Sequence, residues 1–139
     1  MSHRTSLALA APVLALGLLA PQAHGQNERA YVAPSSPADE SARPFSGAVR
    51  AGDTLYLSGT IGLDADGRVP RDPVEEARNV LDSVQRMLAA AGMTMDDLVQ
   101  VQVFCSDVAH YEAFNRVYRT YFTREFPARA FIGAGTLLF

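Results

Sequence analysis

The side chains that could do chemistry in this sequence are few, and their types exclude several mechanisms. The 139 residues include 12 basic ones, all of them arginine, and no lysine. Without lysine these residues cannot form the Schiff base of pyridoxal phosphate enzymes or supply the phosphate-binding lysine of a P-loop. The single cysteine, Cys105, has no disulfide partner within the chain, and His110 is the only histidine after residue 24. A zinc site with several Cys or His ligands is therefore excluded, and we expect no metal and no cofactor.

Arg129 is the first candidate for a residue that contacts a ligand. It follows Phe126-Pro127 at the start of a strand-like segment. Its planar guanidinium can donate two parallel hydrogen bonds to a carboxylate, which suits a substrate derived from an amino acid. The alternative is that Arg129 pairs with an acidic residue at a subunit interface, and the pattern alone favours this alternative.

Five further residue positions carry weaker signals. Ser58 and Gly59 end a predicted strand, where glycine lets a ligand approach the backbone and serine supplies a hydroxyl, although a simple turn is the alternative. Asn115 falls on a predicted helix, where an exposed polar position is a fair interpretation. Cys105 ends an apolar strand, which is more typical of a small buried residue than of a nucleophile. His110 begins the second helix without the partners that a metal site or a catalytic triad would need.

Hydrophobic patterning predicts the elements that must position these residues. Two short apolar stretches around Ala51-Gly52-Asp53 predict a β-hairpin that runs on to Gly59. Asp72 as N-cap, Pro73, and an apolar stripe at three- and four-residue steps predict a long helix that Gly92 ends. The order ββ-α-β-α-β indicates an α+β fold, in which a single mixed sheet carries two helices on one face. The later elements are an alternating strand at 98–104, a helix at about 109–122 and a strand-like segment at 128–139.

The N-terminal part differs in composition from the rest of the chain. Residues 1–25 combine a basic start, an apolar run of about fifteen residues and the small-residue step Ala23-His24-Gly25, which favours a cleaved signal peptide and a periplasmic or secreted location. The run is shorter than the roughly 20 residues of a membrane span and contains Pro12, so we expect no stable anchor after cleavage. Residues 26–43 are polar and indicate an extended linker or arm, and residues 44–139 form the domain.

The charge balance disfavours one class of partner. Acidic residues outnumber basic ones by 15 to 12, and the formal net charge is −3 at pH 7. No basic stripe runs along the sequence, so we expect no nucleic acid partner.

Several segments together resemble the RidA family of reactive enamine/imine deaminases, formerly called the YjgF family. The resemblance extends over about residues 43–135 and implies a chorismate-mutase-like fold that forms homotrimers, with ligand clefts between the subunits. The segments that carry it are Pro44-Phe45-Ser46, LYLSGTIGLD, the helix ending in AAGM, VQVFCSDV, FNRVYRTYF and FPARA.

The resemblance also implies an activity and a site. Similar proteins use the arginine of the PAR motif to bind the substrate carboxylate, which makes Arg129 the expected catalytic and binding residue. Ser58, Gly59, Asn115 and Phe45 are then the other expected substrate-binding residues. The implied reaction is that of a 2-iminobutanoate/2-iminopropanoate deaminase, which hydrolyses reactive enamines and imines to 2-keto acids and ammonia. The alternative is a non-catalytic module of the same fold that binds a small carboxylate outside the cytoplasm.

The sequence also departs from the family pattern. Family members usually carry tyrosine at the position of Phe45, and often glutamine at that of Gly47. The family domain continues into a further strand with a glutamate that positions the hydrolytic water, whereas the last acidic residue here is Glu125. We therefore expect that the sequence is truncated, or else that the protein lacks the water-positioning group.

Overall fold

The computed structural model describes residues 29–32 and 44–137, and these residues form five strands and two helices. Short 3-10 turns at Met95–Asp97, Val108–His110 and Arg119–Tyr121 connect them. The elements are β1 (Arg29–Val32), β2 (Ala48–Ala51), β3 (Thr54–Leu57), α1 (Pro73–Ala90), β4 (Gln100–Cys105), α2 (Tyr111–Tyr118) and β5 (Ala128–Gly133).

The first helix begins and ends where its sequence signals predict. The Asp72 side chain accepts a hydrogen bond from the Val74 amide at 2.9 Å, which satisfies one of the free donors at the helix N-terminus. Gly92 takes a positive φ of 74° just beyond the last turn, a conformation that glycine adopts without steric cost. The predicted apolar stripe faces inward, and its member Leu88 is 1% exposed. Burying that side chain stabilises the fold by about 2 kcal/mol.

The strands form two small sheets. β1, β2 and β3 pair antiparallel in that order, and β4 pairs parallel with β5. Among the described residues no ladder joins one group to the other. The predicted α+β class with two helices is confirmed, and the single mixed sheet is corrected to two sheets. Alternation along a strand indicates which face is buried but does not specify the neighbour at its edge, which explains the difference.

Both sheets present one face to the same core. Exposure alternates along β3, β4 and β5, so that every second side chain points inward. Leu55 and Leu57 of the first sheet and Val101 of the second pack against side chains of the two helices. The parallel pairing of β4 and β5 requires a crossover, which α2 supplies. The buried members of this core are Ala77, Leu81, Leu88, Met95, Val117 and Tyr118.

The N-terminal strand was not predicted. Residues 29–32, expected to be part of a linker, pair with β2 from Arg29 opposite Ala51 to Val32 opposite Ala48. The open edge of β2 provides the hydrogen-bonding groups for this strand. The proposed signal peptide at 1–25 and the remainder of the linker lie outside the described residues. No helix within the described ranges is long and apolar enough to cross a membrane.

Candidate functional site

Arg129 lies on the inward face of β5, where the register places it beside Val101 of β4. Its Nη2 donates a hydrogen bond of 2.7 Å to Oδ1 of Asn115, a residue of α2 that is only 5% exposed. Of the two interpretations of Asn115, the exposed helix position is wrong, because the side chain is buried. Asn115 is in direct contact with the arginine that the sequence singled out, and its role at an interface or cleft stays a prediction.

Aromatic rings surround the guanidinium of Arg129. Its Cζ lies 4.6 Å from the ring centre of Tyr118, and Tyr111, Phe114 and Phe131 have their centres between 5.8 and 5.9 Å away. A cation above aromatic faces is attracted by the ring quadrupole, whose negative side lies on those faces, an effect of about 0.5–2 kcal/mol per pair. Sequence reasoning did not assign this role to the aromatic residues of α2, and the structure shows that they hold the arginine.

Two polar atoms of this cluster have no hydrogen-bond partner among the described residues. They are Nη1 of Arg129 and the hydroxyl oxygen of Tyr118, and both are buried. A buried donor without a partner costs about 1–3 kcal/mol, so native structures contain few of them. Burial raises the pKa of Tyr118, and the positive charge of Arg129 opposes that shift. The phenol is therefore protonated at neutral pH and is able to donate a hydrogen bond.

The segment between α2 and β5 is tied down close to this cluster. The carboxylate of Asp96 accepts hydrogen bonds from the backbone amide and the hydroxyl of Thr123, and from the amide of Arg124. These bonds hold the pKa of Asp96 below its ordinary value of 3.8. The amide of Ala128 then donates to the carbonyl of Val99 at 3.1 Å, which starts the β4–β5 pairing one residue before Arg129. The backbone segment that leads to Arg129 is thus held at both of its ends, at Thr123 and at Ala128.

The other expected site residues form a second group at the end of the hairpin. The hydroxyl of Ser58 donates to the carbonyl of Ser46 at 2.6 Å, and the amide of Ser58 donates to the carbonyl of Gly47 at 2.9 Å. Ser58 therefore holds the segment that precedes β2, including the 53% exposed ring of Phe45. A Cβ on Gly59 would meet nothing within 4 Å, so Gly59 leaves open space beside its backbone.

Gly62 anchors the loop that follows Ser58 and Gly59 to helix α1. A Cβ at Gly62 would lie 2.1 Å from the carbonyl oxygen of Glu76, so only glycine fits this contact. The Asn79 side chain also donates to the carbonyl of Gly62 at 3.4 Å. Sequence reasoning missed Gly62, because its requirement comes from a helix that is distant in sequence. The IGL segment at 61–63 offers no local signal for it.

The structure brings the expected site residues together as two groups and not as one. Arg129 contacts Asn115, and Ser58 holds the Phe45 segment, but no hydrogen bond joins the two groups in the described part of the chain. A surface depression of about 360 Å³ lies between α1 and the loop residues 63–65 and includes none of these residues.

The remaining candidates take no part in either group. Cys105 is half-buried, which is less than its strand position predicted. Its thiol donates to the carbonyl of Asp107 at 3.1 Å. His110 lies in the 3-10 turn before α2. Within residues 29–32 and 44–137, no group of three or more His, Cys, Asp or Glu side chains is arranged to hold a metal ion.

Comparison with known proteins identifies relatives that are similar in sequence and carry functional or family names. A 2-iminobutanoate/2-iminopropanoate deaminase from goat is 42% identical over 89 residues, which is 63% of this chain and 65% of the relative. The RutC family protein UK114 of Drosophila melanogaster is 38% identical over 89 residues, covering 63% of this chain and 64% of that protein. The matched stretch thus spans slightly less than two thirds of these relatives.

Solved structures are similar over a larger share of their length. RidA from an Antarctic Psychrobacter has a TM-score of 0.65 and 26% identity, covering 76% of this chain and 83% of that one. Yeast Mmf1 has a TM-score of 0.68 and 30% identity, covering 79% of this chain and 88% of that one. The family described as endoribonuclease L-PSP matches residues 35–138, about three quarters of the sequence. The chain therefore belongs to the endoribonuclease L-PSP family, the family of the RidA and YjgF proteins.

Proposed function

We propose that this protein is a RidA-type deaminase that hydrolyses 2-imino acids and their enamine tautomers to 2-keto acids and ammonia. The observation that carries the proposal is the guanidinium of Arg129, which is held by Asn115 and aromatic rings, while its Nη1 has no partner in the part of the chain that the structure describes. Such a group suits the carboxylate that every 2-imino acid carries. The name of the goat relative, a 2-iminobutanoate/2-iminopropanoate deaminase, supports the same reaction.

In the proposed mechanism Arg129 binds the carboxylate and fixes the position of the neighbouring C=N bond. Water adds to the imine carbon, a proton moves to nitrogen, and the carbinolamine expels ammonia as the C=O bond forms. One imino acid and one water thus give one 2-keto acid and one ammonia. Imines are reactive in water without a catalyst, so positioning and electrostatic stabilisation supply the acceleration that the protein needs.

The second group of site residues enters the proposal through assembly. Ser58, Gly59 and Phe45 lie at the end of the first sheet and make no hydrogen bond to Arg129 in the described part of the chain. A homotrimer would allow one copy to complete the site of another. Side chains on the uncovered face of the sheets support such an assembly, because several large apolar ones are exposed there. Tyr56 is 63% exposed and Phe104 is 53% exposed. Light scattering during size-exclusion chromatography tests the trimer, and a monomer mass would contradict it.

The deaminase proposal is tested by the lifetime of the imine. An amino-acid oxidase generates 2-iminobutanoate, and semicarbazide traps whatever imine remains. We expect the purified protein to lower the yield of trapped imine in proportion to its concentration. An unchanged yield would refute the deaminase proposal. If the same protein still bound a 2-keto acid, a non-catalytic carboxylate-binding module would explain the site instead. Because the family description names an endoribonuclease, cleavage of RNA by the same protein is measured as the control activity.

We also propose that the protein acts in the periplasm or outside the cell, on the basis of the signal-like composition of residues 1–25. N-terminal sequencing of the protein from cell fractions tests this. We expect periplasmic or secreted material that begins near residue 26. Cytoplasmic material that begins at Met1 or Ser2 would contradict it.

A further inference from the structure

We propose that Tyr118 is a second ligand-binding residue, whose hydroxyl donates a hydrogen bond to the substrate carboxylate beside Nη1 of Arg129. The inference rests on the proposed function, because it requires that Arg129 binds a carboxylate. It adds the hydroxyl of Tyr118 to the proposed binding site. It also explains why residue 118 carries a hydroxyl, which packing alone does not explain.

The first argument is the hydrogen-bond accounting of the cluster. Among the described residues, the hydroxyl of Tyr118 and Nη1 of Arg129 are the two buried side-chain atoms without a partner. They belong to neighbouring side chains, since the Arg129 Cζ lies 4.6 Å from the Tyr118 ring centre. Two unpaired donors in one buried cluster are costly unless a third group completes them. A carboxylate, with two oxygens, is a group that can accept from both.

The second argument is that neighbouring residues account for the other parts of both side chains, namely Nη2 of Arg129 and the ring of Tyr118. Asn115 accepts from one N–H of Nη2 of Arg129, whereas Nη1 has no partner among the described residues. The Tyr118 ring packs beneath the guanidinium and between Phe114 and Phe122, with ring centres 5.6 and 4.7 Å away. Phenylalanine would supply the same ring contacts. The hydroxyl of Tyr118 is therefore the part of the residue that the packing leaves unexplained.

The third argument concerns how a ligand reaches these atoms. Both are screened from solvent in the single chain, so a surrounding ring must move before a carboxylate can enter. Tyr111 is the most exposed of the four rings around the guanidinium, at 41%, and we expect it to be the one that moves. A site closed by aromatic rings excludes water, which strengthens hydrogen bonds from a cation and a phenol to an anion.

The substitution Tyr118→Phe tests the inference, because it removes the hydroxyl and keeps the ring. Calorimetric titration with 2-oxobutanoate, a product-class keto acid, measures the dissociation constant. We expect roughly tenfold weaker binding, and a matching rise in KM with little change in kcat. The melting temperature should stay equal or rise, since the variant loses a buried unpaired group. An unchanged dissociation constant would overturn the inference, whether or not the melting temperature changes.

Tyr121→Phe is the matched control. Its hydroxyl is already paired, donating to Oδ1 of Asp82 at 2.6 Å, and it lies outside the Arg129 cluster. We expect this control to lower the melting temperature and leave the 2-oxobutanoate dissociation constant unchanged. The two proposals also fail separately. A wild-type protein that binds 2-oxobutanoate without shortening the lifetime of the imine refutes the deaminase. Equal binding by wild type and Tyr118→Phe refutes only the role of Tyr118.

Discussion

The contact between Gly62 and helix α1 predicts a large loss of stability when Gly62 is replaced by alanine. The added Cβ would lie 2.1 Å from the carbonyl oxygen of Glu76 and 2.9 Å from its carbonyl carbon. Both are backbone atoms of a helix, so neither can rotate away as the end of a side chain would. The loop or the helix must shift, and the loop carries Ser58 and Gly59.

The size of the effect follows from the chemistry of overpacking. One extra methyl group in a tightly packed place costs typically about 1–3 kcal/mol, and a clash with backbone belongs at the upper end of that range. For a domain of about 100 residues, a loss near 3 kcal/mol corresponds to a fall of roughly 10–20 °C in the melting temperature. Urea unfolding should show a lower midpoint at an unchanged slope, which indicates altered stability and not an altered unfolded state.

Gly59→Ala is the matched control for this prediction. It lies three residues earlier in the same loop, its Cβ would meet nothing within 4 Å, and its φ is not positive. The change should therefore alter the free energy of unfolding by less than about 1 kcal/mol. If Gly62→Ala is as stable as Gly59→Ala, the packing of this loop against α1 described above is wrong.

Two further predictions concern polar contacts of the loops and helices. Burial and the hydrogen bond to Asp82 raise the pKa of Tyr121 from 10.0 to about 12, so its contribution to stability is present below pH 10 and is lost as the pH rises to 12. Tyr121→Phe should be less stable than wild type by about 1 kcal/mol at pH 8. Urea melts should show that this difference in the free energy of unfolding vanishes above pH 12. A difference that stays constant with pH would contradict the hydrogen bond between Tyr121 and Asp82. Asp96→Asn should lower the midpoint of thermal unfolding at neutral pH, because Asp96 holds Thr123 at the start of the approach to Arg129. Since the pKa of Asp96 is lowered from 3.8, that difference should persist above pH 3.8 and shrink as the pH falls below it, whereas a difference independent of pH would contradict the role of the carboxylate.

The parts of the fold that the sequence predicts are those set by local signals. Asp72, Pro73 and Gly92 mark the ends of α1 through interactions within a few residues, and the structure confirms them. Gly52 likewise takes a positive φ of 58° in the predicted hairpin. The second helix is placed correctly but is shorter, because its first and last turns are 3-10 turns and not α-helix.

The parts that sequence reasoning did not predict depend on contacts between distant residues. The strand at 29–32 exists through its pairing with β2, and the division into two sheets depends on which strand edges meet. Arg129 was identified by its motif and by family resemblance, but its bond to Asn115 joins residues 14 apart that meet only in three dimensions. The same reason explains why sequence reasoning did not single out Tyr118, since its unpaired hydroxyl becomes visible only once its neighbours are placed.

The most direct test of the central claim compares the wild-type protein with Arg129→Ala in the deamination of 2-iminobutanoate. The loss of a charge-assisted contact to the substrate carboxylate should lower kcat/KM by at least about tenfold. Circular dichroism should confirm that the variant is folded before the rates are compared. The account predicts rapid loss of the imine with wild type and little acceleration with the variant. Equal kcat/KM for the two folded proteins would contradict it.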